Sequence, residues 1–119
     1  MNKFFGERIH RIKVAIDGLW KFFFSGVHAR IHLSSAVIVI LLGLYFDLLP
    51  WEWVALLIAI AMVVQAEIFN TVLEEFMDFE HPGYHSKIKY MKDLSSAAVL
   101  VCAVFAFVIG LIIFIPKIL

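Results

Sequence analysis

The sequence predicts an all-α polytopic membrane protein: an amphipathic amino-terminal surface helix followed by three transmembrane helices. Three observations predict it. First, 63% of the 119 residues are apolar and the mean hydropathy is +0.95, against roughly 45–50% apolar in an ordinary soluble domain. One core in so small a chain cannot hide that much apolar surface. Second, the apolar residues are gathered into three long runs. Third, the ten basic and ten acidic residues cancel but are unevenly placed along the chain. The zero balance excludes a nucleic-acid binder, which needs a basic surplus on some face. Twelve phenylalanines exclude a disordered tail. The lone Cys102 lies inside an apolar run and allows no intrachain disulfide.

The elements follow in order within a single membrane domain, residues 1–119. Ile9, Ile12, Ile16, Leu19 and Phe23 recur at helical spacing, with Arg8, Arg11, Lys13, Asp17 and Lys21 between them. This pattern predicts an amphipathic surface helix over residues 7–26. The charged stretch here has no continuous apolar region, so the start does not read as a signal peptide. The first span is expected over 31–49 and the second over 51–78, the latter with a cytoplasmic extension. A loop is expected over 79–90 and the third span over 93–115. A spanning helix needs about 20 predominantly apolar residues. Leu94 to Pro116 meets this with no charge at all. Pro50 suits the start of a helix, and Tyr45, Trp51 and Trp53 sit where an aromatic belt belongs. Pro82-Gly83 marks the turn of the longer connection.

The basic residues set the orientation. Nine of the ten lie before the first span or between the second and third, and only Lys117 follows the last. Basic residues favour the cytoplasmic side. The amino terminus and the 79–90 loop are therefore expected inside, and the Asp47–Pro50 hairpin and the carboxyl terminus outside.

Several polar residues sit where lipid makes them expensive. Glu67, Asn70, Glu74 and Asp78 are spaced i, i+3, i+7 and i+11, which puts them on one face of a helix. Glu67 is enclosed by Val63, Val64, Ala66, Ile68 and Phe69, and a carboxylate at such a depth is by default a functional-site hypothesis. Glu75 falls off the stripe and is expected to be solvated. Lys92 and Asp93 precede the third span, where the turn-containing loop can bring them to face the stripe. Ser95, Ser96, Ala97 and Ala98 then let another helix approach closely. Carboxylates, an amide and a lysine suit the holding of a divalent metal and phosphates while one carboxylate takes a hydroxyl proton. A cation or proton path would use similar residues. His28 and His32, spaced i, i+4, read as a solvated interfacial pair in preference to a metal pair. The sequence has no Cys-x-x-Cys set, Gly-rich phosphate loop or nucleophile elbow.

The run Glu67-Ile-Phe-Asn70-Thr-Val-Leu-Glu74-Glu-Phe-Met-Asp78 resembles the signature of the small prokaryotic diacylglycerol kinases and undecaprenol kinases. So does Lys92-Asp93-Leu-Ser-Ser-Ala-Ala-Val-Leu. Arg30-Ile-His32-Leu is similar to the undecaprenol kinase branch in particular, and Gly110-Leu-Ile-Ile-Phe-Ile-Pro116 matches the family's ending. The resemblance implies a homotrimer in a bacterial cytoplasmic membrane, with sites shared between subunits at the inner interface. It also implies transfer of the ATP γ-phosphoryl group to a lipid hydroxyl, with Mg²⁺. Glu67 would be the base and Glu74 the metal ligand. Asn70, Lys92 and Asp93 would order the phosphates and the base, and Asp78 and Arg30 would complete the nucleotide-binding set. A trimer would also shield the polar stripe from lipid.

The chain departs from the family at one position. A second metal-binding glutamate is usual four residues before the Arg of Arg-Ile-His, and Gly26 stands there. The loss is expected to weaken Mg²⁺–ATP binding unless His28 or Asp17 substitutes, and imidazole suits Mg²⁺ poorly. A bend between the surface helix and the first span would be another reason for glycine. The alternative function is then a weak or inactive relative acting as a non-enzymatic membrane protein.

Overall fold

Four helices account for nearly all of residues 2–119, the part of the chain described by the computed structural model. They are α1 (Asn2–Phe23), α2 (Val27–Tyr45), α3 (Pro50–Glu80) and α4 (Ser86–Ile118). The last three are each long and apolar enough to cross a membrane, so the fold is that of an all-α polytopic membrane protein. The connection between α3 and α4 is only residues 81–85. Of residues 79–90, which the sequence assigns to the loop, 79–80 still belong to α3 and 86–90 already belong to α4. The Lys87 backbone N–H donates to His85 Nδ1 at 3.1 Å, which occupies one of the unpaired donors at the helix start.

The α2–α3 hairpin is closed by local chemistry. Asp47 is in the left-handed region, φ 54°, which aspartate tolerates better than most residues. The Leu48 N–H reaches back to the Gly43 carbonyl at 3.4 Å and the Phe46 N–H to Leu42 at 2.9 Å, satisfying carbonyls at the end of α2. Pro50 opens α3, where its missing N–H goes unnoticed. Gly43 has a steric reason. A Cβ there would lie 2.8 Å from the Trp53 ring, so only glycine lets α2 approach α3 at this level.

Packing is concentrated at this hairpin end. Leu48, Leu56 and Ile113 are buried together, with Val39, Trp53 and Phe114 against them. Glu52 near the start of α3 joins Lys117 near the end of α4 at 3.0 Å. Glu52 also accepts the Leu49 N–H at 2.8 Å. α3 packs mainly on α4. Most other large apolar side chains of the three long helices are exposed, among them Leu100, Phe105, Phe107 and Ile112. Such a surface needs lipid or neighbouring subunits to cover it.

α1 projects from the bundle. Phe22 is its only buried residue among those described. The molecule measures 51 × 49 × 20 Å, wider than three packed helices of about 10–12 Å diameter make by themselves. Asp17 and Lys21, one turn apart on α1, pair at 2.8 Å. The Asp17 hydrogen bond, and then its charge, raise the Lys21 pKa above the usual value.

Candidate functional site at the cleft end

The periodicity of α3 carries Glu67, Asn70, Glu74 and Asp78 onto one face, and the structure turns that face into a cleft. The cleft has a volume of about 460 Å³ and all four side chains line it. α2 contributes His28, Ala29 and His32, and α4 contributes Ser96 and Val99. The small side chains of Ala29 and Ser96 leave room between the three helices. Glu67 and Asn70 are buried at 6% and 8% exposure. Glu74 is half-buried, and Asp78 is exposed towards the end of α3. The acidic stripe therefore runs from a buried floor to an open mouth.

Hydrogen bonds orient the floor. The Thr71 hydroxyl donates to the Glu67 backbone carbonyl at 2.9 Å. The Ser95 hydroxyl donates to Asn70 Oδ1 at 2.7 Å, tying α4 to α3. With its oxygen so engaged, Asn70 keeps its two N–H donors for an anionic group. From sequence, Ser95 is expected only as a small residue for close packing. The contact joins residues 25 apart, and periodicity within one helix carries no signal for it.

Lys92 is ion-paired with Asp78, which brings it to the rim of the cleft. Asp93 is turned to Lys89, one turn earlier on the same helix, at 2.7 Å, and does not line the cleft. Arg30 is exposed and likewise outside it. Glu75, off the stripe, is exposed at the rim.

His32 differs from the sequence reading. It is half-buried, and its Nε2 lies 3.5 Å from Glu67 Oε2. It is not part of a solvated pair, because the α2–α3 packing turns it inward onto a carboxylate that no periodicity within α2 could reveal. His32 also lines a second cavity of about 500 Å³ that is almost wholly apolar. That cavity follows α2 from His32 to Phe46 and is walled by residues such as Val63 and Leu56 on α3 and Phe107 and Phe114 on α4. Fourteen helical steps make it about 21 Å long. The polar cleft and the apolar groove thus meet at one side chain.

Gly26 lies at the cleft wall. Its backbone is extended, φ 170° and ψ 178°, a conformation open to any residue, and a Cβ would meet nothing within 4 Å. The bend between α1 and α2 therefore does not require glycine. Asp17 is occupied by Lys21 and stays outside the cleft, so His28 alone of the two proposed substitutes stands near the missing carboxylate. No cluster of three or more metal-ligating side chains exists among the described residues. Glu74 is the carboxylate of the cleft's middle, and Asp78 is held by Lys92. A cation here would take one protein carboxylate and otherwise phosphate and water oxygens. That donor set fits Mg²⁺, which usually binds through one or two carboxylates plus substrate phosphates.

Comparison with known proteins bears on this geometry. The family model for prokaryotic diacylglycerol kinase matches residues 13–114, a range that holds the whole cleft. The chain is also similar to an undecaprenol kinase of Bacillus subtilis (strain 168). The two are 31% identical over 117 residues, which cover 98% of this chain and 92% of the relative.

Proposed function

This chain belongs to the prokaryotic diacylglycerol kinase family, and on that premise we propose that it phosphorylates a membrane lipid alcohol with ATP. The single observation that carries the proposal is the depth order of one cleft: a buried Glu67 at its floor, beside the end of an apolar groove, with Glu74 and Asp78 successively nearer the mouth. A lipid alcohol has its hydroxyl at the top of a hydrocarbon tail. Its hydroxyl meets Glu67, while the triphosphate, which needs water and cations, meets the outer residues. The axial distance from Glu67 to Glu74 is about 10 Å for seven residues, room for a polyphosphate between them.

In this reading the Glu67 carboxylate accepts the proton of the lipid hydroxyl as its oxygen attacks the γ-phosphorus of ATP. The bond from that phosphorus to the β,γ-bridging oxygen breaks and ADP leaves. Asn70, with its N–H groups free, binds phosphate oxygens. Lys92 and Asp78 close the rim around the nucleotide, with Arg30 and Asp93 contributing on its outer side. Glu74 would hold Mg²⁺, which when bound neutralises charge on the phosphates.

Undecaprenol is the favoured acceptor, supported by the similarity to a named undecaprenol kinase and by the Arg30-Ile-His32 motif; diacylglycerol is the other. The protein works in a bacterial cytoplasmic membrane with its amino terminus and cleft inside, supported by the distribution of basic residues. α1 lies in the inner interface, with its exposed isoleucines in lipid and its basic residues in the headgroups. The assembly is a homotrimer, supported by the polar stripe of α3, which a lone chain shields poorly from lipid. Gly26 favours a second reading, a weak or inactive relative, because the cleft holds one metal carboxylate fewer than the family pattern.

The test is transfer of label from [γ-³²P]ATP to lipid by the purified protein, with undecaprenol and diacylglycerol offered side by side. Labelled undecaprenyl phosphate in the presence of Mg²⁺ is expected. No labelled lipid with Mg²⁺, Mn²⁺ or Zn²⁺ rejects the kinase reading for the non-enzymatic one.

A further inference from the structure

A carboxylate that takes a proton from an incoming hydroxyl must present one oxygen in one direction, which requires a group to hold the other. Of the basic residues near the cleft end, Lys92 is committed to Asp78 and Lys89 to Asp93, and Arg30 is exposed and outside the cleft. Among the described residues, the ionisable donor within ion-pair distance of Glu67 is the His32 imidazole, its Nε2 3.5 Å from Oε2. Such contacts are often long before substrate binds and shorten in the complex. The place of His32 gives the contact its meaning, since it is the side chain that lines both the polar cleft and the apolar groove. A hydroxyl on a tail in the groove arrives at that junction.

We propose that His32 is the positioning residue for Glu67: an imidazole whose Nε2–H holds one carboxylate oxygen at the mouth of the apolar groove and so aims the other at the lipid hydroxyl. The consequence for turnover rests on the kinase reading of the site; the contact itself does not.

Two measurements test this. Steady-state phosphorylation of undecaprenol by the full chain in lipid nanodiscs is compared for wild type, His32→Leu and His32→Gln. Leucine removes the donor, and kcat falls about 10–100-fold with KM for ATP within about twofold. The glutamine amide N–H reaches the place of Nε2, and its variant recovers to within about fivefold of wild type. Wild-type kcat in His32→Leu, or a glutamine variant no better than leucine, overturns the proposal. Independently of turnover, ¹⁵N spectra of histidine-labelled protein report the His32 tautomer. A protonated Nε2 whose shift moves on Glu67→Gln supports the contact, and a resonance indifferent to that substitution overturns it. A wild-type protein that phosphorylates neither lipid defeats the kinase reading alone, and the ¹⁵N result still decides whether His32 holds Glu67.

Discussion

α3 carries two buried glutamates, fifteen residues apart, and they are treated differently. Glu52 at the hairpin end meets the Lys117 ammonium at 3.0 Å and the Leu49 N–H at 2.8 Å. Its charge is matched by a permanent cation and a backbone donor, beside the best-packed part of the molecule. Glu67 at the cleft end has an imidazole at 3.5 Å and a cavity on either side of that imidazole. Both are costly to bury, and both are 6% exposed, so burial does not separate them. The partners do. A carboxylate closed off by a lysine and a backbone N–H fastens two helix ends, whereas one that faces a cleft keeps its acceptor capacity for a visitor.

The sharpest way to break this contrast is to neutralise each in turn. Glu67→Gln is expected to lower kcat for lipid phosphorylation by about 10²–10⁴-fold, the usual worth of a general base, with the protein still folded. Glu52→Gln should leave kcat within about twofold, so equal losses from the two substitutions would erase the distinction. Next in size is Glu74→Gln, which keeps the shape and removes the carboxylate proposed to hold the metal. Activity should drop by more than the roughly 10–100-fold that losing an outer-shell partner costs, and a Mg²⁺ titration should show the requirement rising. An unchanged Mg²⁺ curve would separate Glu74 from the cation.

Smaller effects sharpen the picture. Ser95→Ala frees Asn70 Oδ1 and lets the amide turn. A loss of about 3–10-fold in kcat is expected, equivalent to one hydrogen bond of about 1 kcal/mol, and no loss would mean that Asn70 needs no orienting. Gly26→Glu places a carboxylate in open space without backbone strain. It should lower the Mg²⁺ concentration for half-maximal rate several-fold, by supplying a second hard oxygen ligand. A folded variant with the wild-type metal curve would show that position 26 does not reach the cation. Smallest for catalysis is Lys117→Met. It should lower the thermal unfolding temperature in detergent, because it strands Glu52, while kcat measured below that temperature stays the same. A fall in kcat without a fall in stability would tie the hairpin end to turnover.

The same contrast explains what could be read from residues alone. Three apolar runs declared three helices because lipid imposes a length and a composition on each. The stripe from Glu67 to Asp78 was readable because helical spacing alone puts its members on one face. Contacts between helices obey no such rule. Glu52 with Lys117, Ser95 with Asn70 and His32 with Glu67 join residues from 25 to 65 positions apart, and each depends on how α2 and α4 rotate against α3. Asp93 shows the converse. Its place beside Lys92 made both candidates for one cleft, but adjacent helical positions point about 100° apart, and only Lys92 reaches the stripe. Charged residues near a turn look like loop and predict a long one, whereas the helix simply continues past the apolar boundary.

One consequence of α3 concerns measurement of height. Its 31 residues make a rod of about 46 Å, against about 30 Å of hydrocarbon core. With Pro50 at one face of the core, Glu67 stands about 26 Å along the rod and Asp78 about 42 Å. The helix therefore acts as a gauge, setting Glu67 within the slab and the last carboxylate well beyond it. Its graduations are discrete. One residue added between Pro50 and Glu67 raises everything above it by about 1.5 Å and turns it through about 100°, swinging the whole stripe off the cleft. Four residues nearly restore the bearing but lift Glu67 by about 6 Å, out of reach of the hydroxyl of the proposed lipid substrate. Depth and bearing cannot be adjusted separately in such a rod, so the length of this segment is fixed as firmly as the identity of the residues it carries.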